Sequence, residues 1–144
     1  MLRFILAFTT LLICLPATFS QEEEEEKTPL GEEMSAMNKS WRTLKRSVSD
    51  PAKNQQSLKL LASMRKAAVT SLDMVPIRSE EVSESDRPDF IEGYQKGMKE
   101  TLVRFDDLKV ALENGDNEKA AALVKKINDL RKSGHRDYKP EDED

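Results

Sequence analysis

Hydrophobic positions along this chain fall into four stretches, each with the three-and-four spacing of one helix face. The first takes in Leu30, Met34, Met37, Trp41, Leu44 and Val48. The second carries Leu58, Leu61, Met64, Ala68, Leu72 and Val75, and stops before Pro76. The third follows Pro88 with Ile91, Tyr94, Met98, Leu102, Phe105, Leu108 and Leu112. The fourth runs through Ala120, Leu123, Val124, Ile127, Arg131 and His135 towards Tyr138. This spacing places His135 on the inward face of the last helix, four residues after Arg131.

The breaks between stretches have helix-end chemistry. "SDPAKNQ" ends the first, and Pro51 suits the opening turn of the second. Gly115 can close the third helix and Asp116 can cap the fourth. Residues 75–89, "VPIRSEEVSESDRPD", form one longer polar connection. Two short turns flanking one long connection predict an all-α, antiparallel up-down-up-down four-helix bundle over residues 30–139. No repeat or second domain is visible.

The ends read differently. "MLRFILAFTTLLICLPATFSQ" has a basic start, an apolar run and small residues near Ser20, which marks residues 1–20 as a cleaved secretory signal peptide. Its apolar run is too short for a stable membrane span, so no membrane insertion is expected after cleavage. Bulky Ile13 before Cys14 argues against lipid attachment there. Cleavage would remove Cys14, the single cysteine, leaving no disulfide and no thiolate nucleophile. The expected compartment lies outside the cytoplasm, which in a bacterium is the periplasm. Residues 21–29 open with a glutamate run and read as an acidic, disordered spacer. Residues 140–144, "PEDED", read as an acidic tail beyond the last helix.

Composition narrows the function. The chain has 144 residues and a formal charge of −4, or −5 once Arg3 is removed, which gives no basic face for nucleic acid. With one histidine there is no Ser-His-Asp or Cys-His arrangement. Nor can the chain supply the second Glu-x-x-His of a di-iron bundle. It is not expected to be an enzyme. The interior instead collects methionines, Met34, Met37, Met64, Met74 and Met98, which by themselves suit adaptable core filler. Gly93, Gly97 and Gly134 weaken helices by roughly 1 kcal/mol each, so a packing reason such as a flat ligand is expected. A thioether and an imidazole from different helices can form the axial pair of a haem. A terminal histidine favoured by the helix dipole is the plainer alternative, and the pattern alone leaves both open.

Three segments carry a resemblance. "LGEEMSAMNKSWRTLK", "LASMRKAAVTSLDMVP" and "INDLRKSGHRDYK" resemble the cytochrome b562 family of soluble periplasmic bundles, over essentially all of residues 29–139. The resemblance implies one haem b per chain at one end of the bundle, with Met34 and His135 as axial iron ligands. It also implies pocket positions at Met37, Met64, Pro76, Tyr94, Met98 and Arg131. Family members often have an aromatic residue where Met98 stands and a larger one where Gly134 stands. No Cys-x-x-Cys-His is present, so the haem would be held without covalent links. The reading that follows is a monomeric periplasmic electron carrier serving redox partner proteins the sequence does not name. The rival is a haem-free periplasmic helical bundle acting as an interaction or chaperone-like module.

Overall fold

A computed structural model describes residues 28–140. The segment expected to be a signal peptide, Cys14, the glutamate run and residues 141–144 lie outside the described residues. Four helices account for most of the rest: α1 (Pro29–Ser47), α2 (Asn54–Thr70), α3 (Arg87–Glu113) and α4 (Asn117–Tyr138). Among the described residues there is no strand.

Local chemistry sets each boundary. Thr28 caps α1 by accepting the Gly31 amide at 3.1 Å, and Pro29 occupies the first turn, where its missing N–H costs nothing. Pro51 opens a short 3₁₀ turn, capped by Asp50, that leads into α2 rather than belonging to it. At the far end α2 stops at Thr70 and continues as 3₁₀ turns at Ser71–Asp73 and Ile77–Glu81. Val75, read from spacing as inward, is therefore beyond the helix and 54% exposed. Gly115 is the one described residue with positive φ, at 71°. Its amide and that of Asp116 bond back to Leu112 and Ala111, the paired closure of a helix that ends in a left-handed residue. Asp116 then caps α4 by accepting the Lys119 amide at 2.9 Å.

Each apolar stripe contributes to one core that includes Trp41, Leu44, Met64, Phe105, Leu108 and Ile127. Tight seams join α1 to α2, α2 to α3 and α3 to α4, while α1 and α4 are not among the closely packed pairs. At the α1/α2 seam the buried Ser47 and Ser57 hydroxyls meet at 3.1 Å, small side chains that let the backbones approach.

Hydrogen bonds show which ends meet. The Asn117 amide donates to the Val48 carbonyl at 2.7 Å and to Asn54 at 2.8 Å. Asn54 donates in return to the Leu112 carbonyl at 3.3 Å. The two short turns are thereby clasped together. At the other end the Tyr94 hydroxyl donates to the Ser71 carbonyl, and Arg78 donates to the Arg136 carbonyl.

Candidate functional site

The end remote from the Asn54–Asn117 clasp gathers most of the residues singled out from the sequence. Met64 is fully buried, Tyr94 and Met98 are buried, and Met34 and Met37 pack half-buried against the same core. Pro76 is buried where the chain leaves the second 3₁₀ turn. Tyr94 fixes this corner: its hydroxyl donates to Ser71 at 2.9 Å, and burial pushes its pKa up to about 12.

His135 departs from the spacing argument. It is exposed, and its carbonyl accepts the Lys139 amide that ends α4. The inward stripe of α4 passes instead from Ile127 through Arg131 to Gly134 and Tyr138. A step of three from Arg131 lands on Gly134, and a step of four on His135, so the two share the inner flank and the smaller residue takes the deeper place. On the α3 side of α4, Lys126, Asp129, Leu130 and Ser133 line a groove with Glu100 and Arg104. By helix periodicity His135 stands on the flank of α4 turned away from that groove. On α1, Met34 lies well round the helix from Ser47, which faces α2.

Two polar atoms are orphaned, one on α4 towards this end and one deeper in the bundle on α1. Arg131 Nε and the Trp41 indole N–H are buried and make no hydrogen bond. Neither fits a plain hydrocarbon core, where an unmatched donor costs about 1–3 kcal/mol. The glycines divide into two kinds. A Cβ at Gly93 would come within 2.7 Å of the Tyr138 hydroxyl, so this glycine admits the tyrosine. Cβ atoms at Gly97 and Gly134 would meet nothing within 4 Å and border open space. Tyr138 also packs edge-on against Phe90 and Tyr94, with ring centroids 5.0 and 5.6 Å away.

The spacing does not single out Phe90 and Tyr138, which pack together at this end, or the unmatched indole of Trp41. Tyr138 had a signal, since it lies seven residues after Arg131 on the same stripe. Trp41 had none, because an indole on an apolar stripe looks like core until its N–H is found unmatched. Among the described residues no group of three or more histidine, cysteine or acidic side chains could hold a metal ion. The donors at this end are instead thioethers and one imidazole. With the loose α1/α4 seam, the space beside Gly97 and Gly134, and two unmatched donors, they fit a flat, apolar, iron-bearing ligand.

No described helix is long and apolar enough to cross a membrane. The family model described as cytochrome b562 matches residues 29–139. No curated protein and no solved structure matches the chain.

Proposed function

The chain belongs to the cytochrome b562 family, and from that premise we propose that it is a periplasmic electron carrier binding one haem b through Met34 and His135. The four helices run up-down-up-down in this reading, which the clasped short turns and the Tyr94–Ser71 and Arg78–Arg136 bonds support. Bound there, haem supplies a one-electron ferric/ferrous couple. The thioether of Met34 would favour the ferrous form relative to a second imidazole. Met37, Met64, Met98 and Tyr94 would exclude water from the iron's surroundings, and that dry wall acts in the same direction. Arg131 and Trp41 would find in the ligand's polar edge or its neighbours the acceptors they otherwise lack. Were Met34 and His135 both to hold the iron, no place would remain for a substrate, which would suit a carrier rather than an enzyme. Export through residues 1–20 would deliver the protein to its compartment.

The observation that carries this reading is the coincidence, at one end of a family-matched bundle, of thioether donors, open glycine faces and an unmatched buried Arg131 donor. Absorption spectroscopy tests it. The purified protein, or the haem-free protein titrated with hemin, is expected to show a strong Soret band and low-spin bands at one equivalent. Colourless protein that takes up no added hemin would sink the proposal.

A further inference from the structure

Charge is divided unevenly along the chain. Residues 28–140 hold 21 of the 23 basic residues (all but Arg3 and Lys27) and 18 of the 27 acidic ones, a net of +3. The nine remaining acids are Glu22–Glu26 and Glu141–Asp144, and they alone turn a basic body into an acidic protein. Within the body the excess is also local. Between Glu33 and Asp50 there is no acid, yet Lys39, Arg42, Lys45 and Arg46 are all exposed on α1. Across the seam Lys125 and Lys132 of α4 are exposed as well.

None of these six forms an ion pair within residues 28–140. Elsewhere the described ion pairs are local or join α2 to α3, as Arg65 joins Asp106 at 2.7 Å. The acids of α4 do not answer the excess. Asp129 lines the α3-side groove, Asp137 pairs with Arg136, and Glu118 sits in the first turn at the far end. The outer side of α1 is thus a basic face with no acidic partner among the described residues.

We propose that this face is a docking surface for the chain's own acidic run, Glu22–Glu26. Reach permits it. The run ends two residues before Thr28, and at about 3.5 Å per extended residue Glu22 can travel roughly 20 Å from the start of α1. Lys39 and Arg42 lie about 15 and 20 Å along the helix at 1.5 Å per residue. The flexible glutamate, lysine and arginine stems extend that reach to Lys45 and Arg46. The five carboxylates would meet four α1 cations. Because the contact is exposed, it weakens as salt shortens the screening length from about 30 Å at 0.01 M to about 3 Å at 1 M. The inference stands on charge and reach, and does not depend on whether haem is bound.

Zero-length carbodiimide cross-linking, followed by digestion and mass spectrometry, reads the contact directly in protein carrying both acidic blocks. At low salt, links from Glu22–Glu26 are expected mainly on Lys39 and Lys45, and they should largely vanish near 1 M salt. Lys66 and Lys96, on α2 and α3, are comparable in reach and serve as internal controls. The double variant R42E/R46E, which removes no cross-linking lysine, should reduce the Lys39 and Lys45 links several-fold while the circular dichroism spectrum is kept. Links spread evenly over Lys66 and Lys96, links unaffected by the arginine reversals, or links only between two copies of the chain would each overturn the proposal.

Discussion

Met34, Met98 and His135 divide the ligand question among them. Met34 and Met98 each lie 14 residues from the clasped end of their helices, counted from Val48 and Leu112, or about 21 Å along the axis. Depth therefore does not separate them, whereas burial does: Met98 is buried in the core and Met34 is half-buried. M34A is expected to keep haem through His135 but to give a high-spin or water-ligated ferric spectrum. H135A should lose most haem affinity, and M98A should keep the low-spin bands with a modest change in binding. A high-spin M98A beside a low-spin M34A would move the thioether assignment to Met98. Tyr94 offers a test that needs no haem. Its pKa, pushed by burial up to about 12, lies above the ordinary value of 10.0, so the folded state holds its proton longer than the unfolded one. The group's stabilising preference is intact below about pH 10 and is lost as pH rises towards 12. Ultraviolet titration should show Tyr94 ionising late, and Y94F should flatten the loss of stability over that range. A single tyrosine transition at the ordinary value for both Tyr94 and Tyr138 would contradict it.

Elements were legible in the sequence wherever the cause was local. Apolar stripes, the Gly115–Asp116 stop and cap, and the long polar connection all depend on residues within a turn or two of each other. What eluded the pattern is non-local. The Asn54–Asn117 clasp joins residues 63 apart, and no spacing rule pairs them. Gly93 makes room for Tyr138 on another helix, so the glycine alone suggests a gap without naming its occupant. Spacing alone turns His135 inward because a four-residue step from Arg131 is as helical as the three-residue step that wins. The clasp makes its own prediction. Asn117→Ala removes the donor to Val48 and one partner of Asn54, leaving the Val48 carbonyl and the Asn54 amide partly unmatched. It should cost about 1–3 kcal/mol in urea unfolding, with most of the loss absent when Asn54 is already alanine. Additive losses from the two single variants would show that the side chains act independently.

For the whole molecule, the end proposed to hold haem is the one at which α1 and α4 are less buried. Phe105, Leu108 and Leu112 are sealed at the clasped end, while Met34, Met37, Gly134 and Tyr138 are only half-buried. A ligand that fills the loose seam should therefore bind the folded state alone and stabilise it by RT ln(1 + [L]/Kd), about 4 kcal/mol at a thousand-fold excess over Kd. For a body of this size, that corresponds to a rise in melting temperature of roughly 10–20 °C. The gain should be uneven. Amide exchange should slow most at the start of α1 and the last turns of α4, and least around the Asn54–Asn117 clasp, which is closed without help. Gly134→Leu provides the counterpart, because its side chain would enter open space rather than a packed neighbour. The variant should raise the haem-free melt by a few degrees, because it removes a helix-weakening glycine, yet weaken hemin uptake by occupying the room the ligand needs. Thermal melts with and without saturating hemin decide the matter. Identical midpoints for the unmodified protein would show that hemin is not held by the folded bundle, and unaltered hemin binding by Gly134→Leu would place the pocket elsewhere.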